Sequence, residues 1–179
     1  HGKPKFLEEN AIKFLEENRD NPFILYINFL EPHSPFSSTL NEYHNPEELI
    51  IPTDKSDFNS LTDRNKIRKL VEYGVESDEV PDFVRRYWGL VSKVDMSVGK
   101  IMQKLDELGL DENTLVVFTS DHGEMLGSHA FKSKRFAYDE SSRVPLLVKL
   151  PDSKTQRIIQ EPVSHIDLVP TILDYMGYS

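Results

Sequence analysis

Hydrophobic positions change their spacing several times along this chain, and each change marks an element. In PKFLEENAIKFLEEN, Leu7, Ala11, Phe14 and Leu15 recur at helical spacing with glutamates between them. That is the pattern of a helix with one apolar face. Asn21-Pro22 ends it, because the residue before a proline is driven out of the α region. FILYINFL, Phe23 to Leu30, is then a near-continuous apolar run, which predicts a strand covered on both faces. It leads into EPHSPF, a loop with prolines around His33.

Residues 37–83 are turn-rich and of mixed charge, and predict surface excursions with a short helix around Ile67 to Tyr73. Arg85 to Leu108 predicts the longest helix. Trp88, Val91, Val94, Val98, Ile101, Leu105 and Leu108 form its stripe, and Gly109 stops it. TLVVFT and VPLLVKL read as strands, separated by a loop from Ser120 to about Ser142. In SHIDLVPTILDYMG, Ser164 and Asp167 have capping-box spacing and Gly177 closes a last helix. This order predicts an α/β fold, a mostly parallel sheet flanked by helices. Ligands of such sheets bind beyond the carboxyl ends of strands. EPHSPF and SDHGE both follow apolar strands, so the two loops are expected to meet at one crevice.

Composition narrows the chemistry. The 179 residues suit a single domain. A net charge of −9 argues against nucleic acid as a partner, but a local cation can still invert the field of a small pocket for an anion. The absence of cysteine excludes disulfides, thiolate metal sites and a cysteine nucleophile. No apolar run approaches the roughly 18 residues of a membrane span. The chain opens at His1, not Met, and is read as a piece of a longer protein.

Asp121 and His122 stand side by side just past a strand, where a hard oxygen and an imidazole nitrogen can turn towards one ion. Taken alone, Asp-His-Gly is also ordinary turn chemistry. His33 is suited to donating to an anion or protonating a leaving group, or is a plain turn histidine. Lys132, Lys134 and Arg135 offer charge to an oxyanion, or form a solvated basic stretch. His44 and His129 are open; His165 reads as structural, in the first turn of the last helix. Trp88 and Tyr138 read as core or pocket wall.

Order and context favour chemistry. AIKFLEENRDNPFILYINFLEPHSPF, YWGLVSKVDMSVGKIMQKLDELGLDENTLVVFTSDHGEMLGSH, KRFAYDESSRVPLLVKLP and VSHIDLVPTILDYMG together resemble the sulfatase family of the alkaline-phosphatase-like superfamily over most of the chain. The resemblance implies that Asp121 and His122 are ligands of one divalent cation, usually calcium in this family. It implies that His33 contacts the sulfate ester and assists the leaving group. It also implies that Lys134, four residues before Tyr138 as in the family pattern, binds sulfate oxygens, in preference to Lys132. His129 is a candidate pocket residue. The family's formylglycine arises from a Cys/Ser-X-Pro-X-Arg motif, which this chain lacks; SSRVP has the wrong order. Residues 1–179 are therefore expected to be the later part of one catalytic domain, without its nucleophile-bearing part or the small C-terminal domain. The implied substrate is a sulfated small molecule or glycan. Two alternatives stay open: a phosphonate monoester hydrolase or phosphodiesterase of the same superfamily, and a non-catalytic module holding an anion or metal.

Overall fold

The computed structural model describes residues 2–52, 79–151 and 153–178. The short helix expected around Ile67 to Tyr73 lies outside them. Helix α1 spans Lys3–Asn18. Helix α2 spans Val80–Glu107, beginning five residues before the expected Arg85. Pro81 lies in its first turn, where a missing N–H costs nothing because that group has no intrahelical acceptor. Strands β1 (Val116–Thr119) and β2 (Leu146–Lys149) follow, with a one-turn helix α3 (Asp139–Ser142) between them. After a short 3-10 turn at His165–Asp167, helix α4 runs Leu168–Tyr175. The capping box of Ser164 and Asp167 forms as its spacing predicts. Among the described residues no helix is long and apolar enough to cross a membrane.

The core is the seam between the two long helices. Ala11 and Leu15 of α1 pack on Ile101 and Leu105 of α2. Burying one such leucine or isoleucine is worth about 1.5–3 kcal/mol. The buried stripe of α2 continues through Leu90, Val94 and Ser97. Val91, expected in that stripe, is 43% exposed. The helix closes as a Schellman motif: Gly109 takes φ +67°, its N–H donates to the Asp106 carbonyl, and Leu110 N–H donates to the Leu105 carbonyl.

Two sheet expectations are corrected. Residues 23–30 form no strand among the described residues. Their burial alternates with period two, as in extended chain. Phe23, Leu25, Ile27 and Phe29 lie on the α1–α2 seam, while Ile24 and Tyr26 are 78% and 85% exposed. One face is covered, not both. The described residues do not show the mostly parallel sheet either. The sheet of the described residues is the pair β1–β2, and it is antiparallel, with Val116 opposite Lys149 and Thr119 opposite Leu146. A parallel return needs a crossover, usually a helix long enough to carry the chain back, and α3 has one turn.

Glu8 faces the same seam as a buried carboxylate. Lys5 Nζ lies 2.6 Å from Oε1, Lys100 Nζ lies 3.3 Å from Oε1, and Ser97 Oγ donates to Oε2 at 3.1 Å. Burial alone would raise its pKa, but Lys5, Ser97 and Lys100 together hold it below the usual carboxylate range. A depressed carboxylate stabilises the fold above its unfolded pKa, and that contribution is lost as pH falls through the folded value. Glu8→Gln should therefore lower stability at neutral pH by about 1–2 kcal/mol, since the two lysines left behind can rehydrate. Urea melts across pH should show the gap from wild type closing on acidification below the ordinary glutamate pKa; a gap constant with pH would refute the assignment.

Candidate active site

The loop leaving β1 arranges its own polar groups. The Asp121 carboxylate Oδ1 accepts the His122 backbone N–H at 3.0 Å. Ser120 Oγ donates to the His122 carbonyl at 2.8 Å. His122 Nδ1 lies 2.8 Å from the Gly123 carbonyl. A carbonyl only accepts, so Nδ1 carries the proton and Nε2 presents a lone pair. That nitrogen is 3.5 Å from Asp121 Oδ2. Two donors each about 2.1–2.4 Å from a shared cation stand about 3.0–3.4 Å apart when at right angles. The donor types suit a divalent cation, and their 3.5 Å separation lies just beyond that span. The Asp121 side chain is 86% exposed, which leaves room for further ligands. No group of three or more His, Cys, Asp or Glu side chains able to hold a metal occurs among the described residues.

Gly123 is where this loop meets the rest of the chain. Its N–H donates to the Ser141 carbonyl at 2.8 Å. A Cβ there would lie 2.0 Å from the Glu140 carbonyl oxygen, so any larger residue would push α3 away. The neighbouring segment is tightly wound. Met125 N–H donates to the Ser133 carbonyl and Gly127 N–H to the Phe131 carbonyl, at 2.9 and 2.8 Å. Met125 and Phe131 are fully buried beneath it. Leu126, His129, Ala130, Ser133 and Arg135 all adopt positive φ, each at a cost of about 1–3 kcal/mol. Such concentrated strain is typical of functional loops held by their surroundings.

Lys134 acts on one carboxylate that sequence reading passed over, Glu124. Its pKa is raised, first by burial; the backbone at Ser133 and the charge of Lys134 pull it only part of the way back. Its Oε1 is buried and has no hydrogen-bond partner among the described residues. The available signal was a glutamate directly after Asp-His-Gly and before Met125-Leu126, a charge inside an apolar turn. Lys132, also half-buried, exerts no comparable influence on Glu124.

His33 stands apart in its contacts. Its ring is exposed, with Nδ1 2.7 Å from the Ser34 carbonyl. No hydrogen bond or ion pair joins it to Asp121, His122 or Lys134. The two loops nevertheless approach the same end of α2. Phe36 packs edge-on against Phe83 and Tyr87, with ring centroids 4.5 and 5.4 Å apart. The Tyr87 pKa is raised by burial and then by the Glu124 charge. His44 belongs elsewhere: Nε2 meets Ser92 Oγ at 2.7 Å and its ring sits edge-on to Trp88. His165 lies in the turn before α4, as its position in the sequence suggests, and its Nε2 reaches Thr119 Oγ1 at the end of β1, 3.3 Å away. His129 is 9% exposed and stacks on Tyr138 at 4.0 Å and 9°.

Fold and loop arrangement together define an alkaline-phosphatase-like protein. The chain belongs to the sulfatase family, whose model matches residues 3–178. It is similar to the ulvan-active sulfatase of Formosa agariphila, 31% identical over 95% of this chain and 32% of that protein. The endo-4-O-sulfatase of Bacteroides thetaiotaomicron is 34% identical over 87% of this chain and 29% of its own length. Among solved structures, the phosphonate monoester hydrolase of Agrobacterium radiobacter superposes with a TM-score of 0.87 at 27% identity, over 98% of this chain and 39% of that one. The chain thus spans about a third of the length of these relatives.

Two ligands leave most of a cation's shell to water or to other groups. Calorimetric titration of the chain with Ca2+ and with Mn2+ should show weak binding, abolished by Asp121→Ala. Tight binding that survives this substitution would place the cation elsewhere.

Proposed function

We propose that residues 1–179 form the later part of the catalytic domain of a sulfuric ester hydrolase, acting on a sulfated small molecule or glycan. The observation that carries this reading is the Asp121-His122 pair, its imidazole tautomer set by the Gly123 carbonyl and its two free donor atoms 3.5 Å apart. Family membership and the names of the relatives agree with it. The exposed faces of residues 24–30, with Leu147 and Val148 of β2 and Val169 and Leu173 of α4, suit a larger domain in which further chain covers them.

Asp121 and His122 would hold one divalent cation, which when bound would neutralise charge on the sulfuryl oxygens. Calcium is the family expectation; the imidazole nitrogen makes Mn2+ a suitable occupant as well. Lys134 supplies a second positive charge to the same oxygens. On this reading His33, exposed on the loop that follows residues 23–30, would give a proton to the departing alcohol. The formylglycine nucleophile comes from outside these residues, since the chain contains no Cys/Ser-X-Pro-X-Arg sequence. His129, buried and stacked, is less suited to contacting substrate than its place in the sequence suggested.

A second reading, hydrolysis of a phosphonate monoester or phosphodiester, is favoured by the superposition on a phosphonate monoester hydrolase. Rates on an aryl sulfate against a phenyl phosphonate monoester, measured on the protein that carries this chain, separate the two. Turnover of neither would leave a non-catalytic cation- or anion-binding module.

In that protein, Lys134→Ala should lower sulfate ester turnover about a hundredfold or more, the range for losing one charge-assisted contact to a transferring group in a site closed to water. Lys134→Arg should also fail, because a planar guanidinium does not replace a compact ammonium. Lys132→Ala should be mild. Equal losses from the two alanine variants, with folding intact, would mean that the segment acts by general basicity.

A further inference from the structure

A continuous set of contacts runs from a buried histidine to the His122 ring. His129 holds a positive φ of 56° although it is not glycine, and is almost fully buried. Its ring is sandwiched on one side by Tyr138, 4.0 Å away and nearly parallel, and its Nε2 lies 3.3 Å from Glu140 Oε1. The backbone of that same glutamate abuts Gly123, closely enough that no Cβ fits between them. The next carbonyl, Ser141, accepts the Gly123 N–H at 2.8 Å. Gly123 in turn offers its carbonyl to His122 Nδ1 at 2.8 Å.

We propose that His129 is a positioning residue: through Glu140 it clamps α3 against Gly123, and so fixes the orientation of the His122 imidazole beside Asp121. The assignment rests on Asp121-His122 being the cation pair of the proposed hydrolase. The physical case lies in the coupling. Gly123 is held at both ends, by the Ser141 carbonyl on its N–H and by the His122 ring on its carbonyl, so a shift of Glu140-Ser141 moves the residue whose carbonyl anchors the ring. The strained backbone at His129 is then explained by where its ring has to sit. Groups that orient a ligating histidine from outside its coordination shell typically change metal affinity about 10–100-fold.

The test uses the protein that carries this chain and reads amide hydrogen exchange at Gly123, with Met125 N–H, bonded to the Ser133 carbonyl, as an internal reference. His129→Ala and Glu140→Ala should each speed exchange at Gly123 relative to Met125, and each should weaken Mn2+ affinity about tenfold or more. The double variant should lose no more than the worse single one, because both act through one contact. The Glu140 side chain is exposed, so Glu140→Ala keeps the test decisive if His129→Ala misfolds. Wild-type exchange at Gly123 in Glu140→Ala, or additive losses, would overturn the proposal. So would a raised KM for an aryl sulfate with Mn2+ affinity unchanged, which would make His129 a substrate contact. Exchange is measured without substrate, so a protein lacking sulfatase turnover would defeat the functional reading while the clamp is still decided at Gly123.

Discussion

The close packing of α1 on α2 is the constraint from which the other placements follow. Ala11 and Leu15 meet Ile101 and Leu105, and the extended segment 23–29 and Val116 of β1 lie against the same seam. Two chain segments that end in polar loops are thereby laid on one support. The early part of α2 completes the arrangement, because Phe36 from one loop packs on Tyr87 and Glu124 from the other acts on Tyr87. The helix pair is thus a mount for both loops, and its apolar stripe sets where the polar chemistry sits.

Two glutamates, Glu8 buried and Glu124 half-buried, show how differently one residue type is used. Glu8 is answered by Lys5, Ser97 and Lys100 and is held in its charged form. It ties the helices together where an apolar residue could also have done so. Glu124 is left with a buried oxygen lacking a partner among the described residues, and its pKa moves the opposite way. Incomplete satisfaction beside His122 and Lys134, within a turn that also concentrates positive φ, marks a place where local stability is given up. Fully buried Met125 and Phe131 hold that turn in place.

The α1–α2 helices, the β1–loop–β2 order, the capping box at Ser164 and the Gly109 stop were legible from periodicity and turn chemistry, because each is decided by residues within a few positions of one another. Asp121, His122 and Lys134 were legible as candidates for the same reason: residue type and distance from a strand end. The start of α2 lies five residues before the expected Arg85, with Pro81 in its first turn, because the apolar stripe of a helix does not mark its first turn. Val91 misled the sequence reading, because a stripe's width is set by the partner helix and not by the helix itself.

By itself the sequence determined which long segments are helical, roughly where their apolar stripes run and which side chains are candidates for chemistry. Tertiary structure decided that β2 returns antiparallel to β1, that residues 23–30 are covered on one face, that one carboxylate oxygen of Glu124 is buried, and that His129 points inward onto Tyr138 and Glu140. Strand direction, burial and the environment of a charge depend on contacts between residues far apart in the chain, and no local pattern encodes them. Gly123 shows the division in one residue: its letter permits a turn, but only the approach of the Glu140 backbone shows why nothing larger would fit.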